Sequence, residues 1–511
     1  MSVFETGVAC VVVDGENLTL EAVRAVAEEG APVSLTDAVV TRAHKSRRIL
    51  RGLAGEAGPE ESVRQANLVR SHSTGVGPLF GEDEARAVLL ARLNSLAKGY
   101  SGVRPEVLAR LARYLNHGIT PAVPEIGSLG AGGDAVPLAH LAATLIGEGQ
   151  VLRDGKRVDT ARVLGELGLA PLTLGTGEGR ALIGGGAGAT GLGALVVVRA
   201  LDQVRQAEIA AALATEAMGG TAGPFLPAGH DLARPHLGQI DTAANLRALL
   251  RGGAADAVGP AGAGTGRGAA DPGPAAQRAY ALRAVPQVLG AVRHTLYQAV
   301  GTLETELNSA GEDPLYFEER MVFHGANGQG QAVAFALDFV TISLVQLGVL
   351  AERQVHRLLD PDRPGGLPPF LVAGDPALHH GFAGVRFPVA ALVAENRTIG
   401  PASVQSVPAA GDPEDVAGLG LLAVRGARRV LENNNRILAV EFLAAAQAVD
   451  LGRRFDALGP AAQAAYDAVR SLVPALGVDR VMSEDIELIT TALSRGELLR
   501  AVGRYGGAAL R

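Results

Sequence analysis

The sequence predicts a mostly α-helical protein, a bundle of long helices with a smaller mixed region near its start. Three observations predict it. From about residue 83 onward, apolar residues recur at i, i+3, i+4 spacing. The later patterns, over 192–218, 285–307, 331–358 and 416–449, each run for several turns. Strand signals are few. At 511 residues, with 48% hydrophobic and 19% charged residues, the chain is long enough for two cores. The expected division is 1–200, carrying the mixed region and a glycine-rich loop, and 201–511, the long-helix bundle.

Taken in order, Leu18, Leu20 and Val23 lead into a short helix, and Leu35 to Leu53 supplies another. On that second helix Arg42, Lys45, Arg47, Arg48 and Arg51 read as a solvated basic face, with an anion or subunit contact as the alternative. Ala85, Val88, Leu89, Leu93 and Leu96 share one helix face, and Gly99 ends it. Pro105 sits in the first turn of the next helix, where its missing N–H costs nothing, with Val107, Leu108, Leu111 and Leu115 on one side. Then comes Gly127-Ser-Leu-Gly-Ala-Gly-Gly-Asp-Ala-Val-Pro-Leu-Ala-His140. So many glycines imply positive φ or close backbone approach, and Asp134 reads as the N-cap region of the apolar helix that follows. Such a helix start can face an anion. Further on, Arg251 to Pro274 is rich in Gly, Ala and Pro and reads as a mobile loop.

Several function classes are excluded or disfavoured. The net charge of −7 suggests no nucleic acid partner. A single cysteine, Cys10, allows neither an intramolecular disulfide nor a cysteine metal site, and no His/Asp/Glu cluster has metal spacing. Residues 1–19 show no secretory pattern, so a cytoplasmic protein is expected. The uncharged stretches Ala181–Val198 and Ala332–Ala351 read as buried helices rather than membrane spans, being interrupted by glycines or polar residues. Gly186-Ala-Gly188-Ala-Thr-Gly191 matches a dinucleotide fingerprint, but no alternating β/α units surround it, so close helix packing is the better reading.

The stretch from Gly127 to His140 resembles the signature of the histidine and phenylalanine ammonia-lyase superfamily, Gly-Ser-x-Gly-Ala-Ser-Gly-Asp-Leu-x-Pro-Leu-Ala-His. The resemblance runs along nearly the whole chain. It includes Ser71-His72-Ser-Thr-Gly75-Val-Gly77, Asn94-Ser95-Leu96, Gly238-Gln239-Ile240-Asp241, Tyr280-Ala-Leu-Arg283, Pro368-Pro369-Phe370-Leu371, Glu395-Asn396 and Glu414-Asp415, in order. It implies a histidine ammonia-lyase-like helical subunit, a homotetramer with shared active sites, and a small amino-acid-like substrate bearing a carboxylate. It further implies that Arg283 binds that carboxylate, that Tyr280 and Glu414 are catalytic acid/base groups, that His72 faces the substrate as a binding or catalytic group, and that Asn327 makes a polar contact.

In that family an Ala-Ser-Gly tripeptide cyclises into an electrophilic methylidene-imidazolone. Here the tripeptide is Ala131-Gly132-Gly133, and Gly132 has no β-carbon from which to make the methylene. Other departures lie nearby. No tyrosine occurs in the region from Arg48 to Glu60, Gly184 stands for an asparagine, Gly328 and Gln329 replace a Phe-His pair, and Pro413 replaces a glutamine. The expectation drawn from these is an enzyme without the cofactor, promoting elimination, addition or cyclisation by acid/base catalysis. The alternatives are a non-catalytic ligand-binding or scaffold protein, and a residual histidine-type ammonia-lyase.

Overall fold

The computed structural model describes residues 9–55, 58–130, 133–257, 279–360, 367–408, 414–507 and 510–511. It is 64% helix and 6% strand. Two compact units divide it: Met1–Val198 with Gln298–Asp338 and Pro401–Gly426, and Arg199–Tyr297 with Phe339–Gly400 and Ala427–Arg511.

The first unit opens with β1 (Val11–Val13), α1 (Leu20–Ala27), β2 (Val33–Leu35) and α2 (Asp37–Ala54), with β1 and β2 paired in parallel from Val11↔Val33 to Val13↔Leu35. Thr19 and Thr36 start the two helices, their side chains accepting from the backbone of Ala22 and Val39. The basic face of α2 is only partly solvated. Arg47 is buried and donates to the carbonyls of Gly102 and Thr176, and Arg42 reaches those of Asp14 and Ala97. The planar guanidinium satisfies several loop carbonyls at once, which charge spacing alone does not reveal.

Next come α3 (Pro59–His72), β3 (Val76–Leu79), α4 (Glu82–Ala97) and α5 (Pro105–Asn116), with Pro105 at the start of α5 as expected. α4 is a core helix, buried at every position from Glu84 to Ala97. It tolerates Arg86 because Val26 and Leu115 offer carbonyl acceptors to the guanidinium. Short strands β4 (Thr120–Pro121), β5 (Pro124–Ile126), β6 (Gln150–Arg153) and β7 (Lys156–Asp159) flank α6 (Ala135–Leu145). β3 pairs antiparallel with β5, and β4-β6-β7 form an antiparallel sheet. α7 (Thr160–Glu166) and α8 (Glu178–Ile183) lead to α9 (Ala187–Ala217). The Gly-x-Gly-x-x-Gly run starts α9 and is a packing device, as expected: a Cβ on Gly191 would stand 2.5 Å from the carbonyl oxygen of Ala87 on α4.

The rest of the chain is α10 (Leu237–Leu250), α11 (Ala254–Ala257), α12 (Tyr280–Arg283), α13 (Val285–Leu307), β8 (Leu315–Tyr316), β9 (Val322–Phe323), α14 (Gln331–Leu358), α15 (Arg386–Thr398), α16 (Gly420–Gly452), α17 (Pro460–Leu472), α18 (Ser483–Ser494) and α19 (Glu497–Tyr505). The long helices fall where the 3.6-residue pattern puts them, within a few residues. Of the segment 251–274, residues 258–274 lie outside the described residues. α9 and α14 are long and apolar enough to cross a membrane, but the most apolar window of α9 is 83% buried and that of α14 is 56% buried, consistent with core helices.

Candidate active site

The glycine-rich loop is held by backbone contacts that only glycine permits. Gly133 has φ +112° and forms a parallel bridge with Gly185, and the next amide, Asp134 N–H, donates to the Gly185 carbonyl at 2.9 Å. A Cβ on Gly133 would lie 2.4 Å from both the N and the O of Gly185, closer than side chains ever approach. The contacts continue outward. A Cβ on Gly185 would meet the Gly311 carbonyl at 3.3 Å, and one on Gly311 would meet the Asn327 carbonyl oxygen at 3.5 Å. On the other side Leu419 N–H donates to the Leu129 carbonyl at 3.0 Å, and a Cβ on Gly418 would lie 3.2 Å from Gln331 N. The loops around residues 127–134, 184–186, 311–313, 325–331 and 417–420 therefore meet in one unit.

Buried polar groups fix their positions. Asp134 stands at the start of α6, yet its side chain makes no cap there. It accepts instead from Ser128 Oγ at 2.6 Å and from Ala189 N–H at 2.7 Å, in the first turn of α9. The N-cap reading thus holds for position but not for partner: the carboxylate caps a helix that begins over fifty residues later in the chain. Burial pushes the Asp134 carboxyl up, opposed by the hydrogen bonds from Ser128, Ala189 and Gly188. Burial also raises Glu306, and the charge of Asp134 adds to the shift. Beneath Gly184 lies the ion pair of Arg92 and Glu312, both buried. Arg92 also donates to the Gly184 carbonyl at 2.5 Å, and Ser95 Oγ donates to Glu312 at 2.8 Å.

His72, Asn327 and Glu414 belong to the same unit as these loops. His72 ends α3, its Nδ1 2.9 Å from the Leu68 carbonyl and 3.0 Å from Ser71 Oγ. Asn327 lends its backbone to the Gly311 contact, and Glu414 is half-buried three residues before Ala417, whose N–H is held by Ser406 Oγ at 2.8 Å. Tyr280 and Arg283 belong to the second unit. They share α12, with the guanidinium 4.5 Å from the tyrosine ring centre and Tyr280 73% exposed. Of the tripeptide, Gly133 is placed as above, and Ala131 and Gly132 lie outside the described residues. His140, the last residue of the motif, carries a role the sequence reading leaves unassigned. Its Nε2 accepts from Gly75 N–H at 2.9 Å, which ties the His72 segment to α6, and burial holds its pKa down, favouring the neutral form that can accept. Its place in the motif was the available signal.

The model of the aromatic amino acid lyase family matches residues 56–471. A MIO-dependent tyrosine 2,3-aminomutase from Streptomyces globisporus (MIO being the methylidene-imidazolone) is 58% identical, the alignment covering 99% of each chain. A tyrosine ammonia-lyase from Cupriavidus metallidurans is 51% identical over 86% of this chain and 84% of its own. Among solved structures, the tyrosine aminomutase from Streptomyces globisporus superposes with TM-score 0.92, covering 98% of this chain and 100% of that one. A histidine ammonia-lyase from Trypanosoma cruzi is 35% identical with TM-score 0.87, covering 97% of this chain and 95% of its own.

These relatives correct two expectations. The reading of a cofactor-independent or non-catalytic protein, and with it the reading of no cofactor, is overturned by the 58% identity to a MIO-dependent tyrosine 2,3-aminomutase and the 51% identity to a tyrosine ammonia-lyase. The departures that suggested otherwise are a few loop positions in a chain that aligns with these relatives along most of its length. The described part of the loop keeps its own backbone geometry: Gly133 is the glycine the Gly185 contact demands, and Asp134 ties the loop to the first turn of α9. Residue 132 itself does not supply the methylene carbon, because glycine has none to give. From its motifs, its helical architecture and its match over most of its length, the chain belongs to the aromatic amino acid lyase family.

Proposed function

We propose that this chain is an aromatic amino acid enzyme of the methylidene-imidazolone class, acting on tyrosine to move or remove its α-amino group. The observation that carries the reading is the 58% identity to a tyrosine 2,3-aminomutase across 99% of the chain. The 51% identity to a tyrosine ammonia-lyase supports the same substrate with release of ammonia as the second outcome. When present, the group supplies an electrophilic carbon that turns the amine into a leaving group. The protein's own residues do the remaining work. Arg283 offers a planar guanidinium to the substrate carboxylate, and its stacking on Tyr280 limits the orientations it can take. By the family resemblance Tyr280 and Glu414 carry acid/base roles, and His72 and Asn327 carry contacts to the substrate side chain.

The same reading includes self-association in the cytoplasm. It is supported by the exposed apolar residues Phe335, Phe339 and Ile342 along one face of α14, a stripe suited to a second copy of the chain. Sedimentation of the purified chain tests it: a monomer at micromolar concentration removes it.

The substrate test compares the chain with its Gly132→Ser variant on L-tyrosine, with chromatography for β-tyrosine and 4-hydroxycinnamate and intact mass for loss of water. The variant is expected to lose water and to turn over tyrosine. A folded Gly132→Ser chain that has lost water and converts no tyrosine overturns the substrate assignment.

A further inference from the structure

Within the second unit a cavity of about 640 Å³ lies between α15, α16 and the start of α18. Its walls are largely apolar. Val389 and Leu392 come from α15, Val440 from α16, and Met482 and Ile486 from the start of α18. Phe387 also lines it and is 73% exposed, so the cavity opens to solvent on that side. None of the residues assigned above to the tyrosine chemistry lines it. The walls are held by bonds of their own. Asp479, just ahead of α18, accepts from His380 N–H at 2.7 Å and from Gly381 N–H at 3.0 Å, just ahead of α15. Gly381 has φ +55°, and a Cβ there would meet the Phe370 carbonyl oxygen at 2.7 Å. Arg480 donates to the carbonyls of Pro474 and Ala475 at 2.8 and 3.2 Å.

Both carboxylates on the walls are engaged, Asp479 by the two backbone donors and Glu487 by Arg436 Nε at 3.2 Å. Arg480 is engaged as well, its Nε donating to Asp485 at 2.9 Å. Arg386 is not. Its Nε donates to the Ala383 carbonyl at 3.1 Å, and its guanidinium lies 4.6 Å from the Phe370 ring centre, which fixes its plane. Its terminal nitrogens have no hydrogen-bond partner among the described residues. A recess of this size, with apolar walls and one oriented, open guanidinium, suits an apolar body with one anionic end. The geometry points to a binding site for an apolar monocarboxylate, alkyl or aryl, with its carboxylate on Arg386 and its body against Val389, Val440 and Ile486. Val389 and Val440 are 1% and 2% exposed, so the recess reaches below the surface and fits a small molecule better than a flat protein face. A cationic ligand meets no open acid there. The assignment is independent of the tyrosine chemistry.

The experiment is isothermal titration calorimetry of the full chain with octanoate, 3-phenylpropanoate, 1-octanol and octylamine. At least one of the two acids is expected to bind saturably, and the tighter one identifies the body as alkyl or aryl. 1-Octanol, which lacks the charge, is expected to bind about tenfold more weakly than octanoate, and octylamine more weakly still. Arg386→Gln is expected to remove the preference for octanoate over 1-octanol. Ile486→Trp, which fills the recess, is expected to abolish binding of both, and Arg283→Ala to leave it unaltered. Acid binding that is lost with Arg283→Ala and kept with Arg386→Gln belongs to the tyrosine site and overturns the proposal. Equal affinity for all four probes overturns it too. So does a full chain that binds neither acid, the result expected if a second copy of the chain closes the opening.

Discussion

Asp134 in the first unit and Glu208 in the second are both fully buried carboxylates, held in opposite ways. Among the described residues, the hydrogen-bond partners of Asp134 include no cation and are a serine hydroxyl and backbone N–H groups of α9. Glu208 faces the guanidinium of Arg293 and the amide of Asn245. The first arrangement orients peptide groups, so it shapes loops. The second cross-links helices whose backbones are already satisfied. In this pair the amide-held carboxylate orders loop backbone and the arginine-held one ties helices together.

The comparison breaks first at Arg293. Arg293→Met leaves Glu208 buried without its counter-charge, and is expected to cost about 3–5 kcal/mol by urea unfolding. Combining it with Glu208→Leu is expected to recover most of that loss, because the cost is the stranded charge rather than the missing pair. If the double variant is as unstable as the single, the ion pair contributes stability in its own right.

The loop side is probed by Gly133→Ala. A methyl group 2.4 Å from Gly185 and a φ of +112° leave the residue no relaxed position, and the expected cost is roughly 3 kcal/mol, concentrated in the loop. Hydrogen exchange is expected to rise at Asp134 and Ala189 while the amides of α10 and α13 keep their protection. Uniform loss of protection across both units contradicts a local role.

How much of this the sequence reveals follows from the same contrast. Periodicity places the long helices, and the pattern over 416–449 becomes Gly420–Gly452, because a buried stripe repeats within the segment itself. The glycine loop is also legible, since positive φ and close approach leave a residue-type signature at the position where they occur. Partnerships between distant segments leave none. Asp134 and the amide of Ala189 are 55 residues apart, and Glu208 and Arg293 are 85 apart, so Asp134, Glu208 and Arg293 each read only as a polar residue at or on its own helix. Arg47 misleads for the same reason, as its carbonyl acceptors lie far along the chain. Gly132 misleads differently. With the other departures around it, Gly132 points away from the family chemistry, whereas the chain as a whole is 58% identical to a tyrosine 2,3-aminomutase.

A third carboxylate sharpens the comparison, with the smallest expected effect. Glu216, at the end of α9 in the second unit, is held as Asp134 is: its oxygens accept from Gly459 N–H at 3.1 and 3.3 Å, at the start of α17, and from the backbone of Ala255. Burial pushes its pKa up to about 7, with Asp256 nearby adding to the shift and the backbone donors opposing it. The folded chain therefore binds this proton more tightly than the unfolded chain, whose glutamates titrate near 4.5. The stabilisation is fully present below that value and is lost as pH rises through about 7. Glu216→Gln keeps the shape and an acceptor oxygen but removes the titration. Relative to the parent, the variant is expected to gain about 1–2 kcal/mol between pH 5 and pH 8, read as a Tm difference that widens across that range. If the two Tm curves run parallel, the amides of Gly459 and Ala255 hold the ionised carboxylate as well as water does, and burial does not dominate at a helix start.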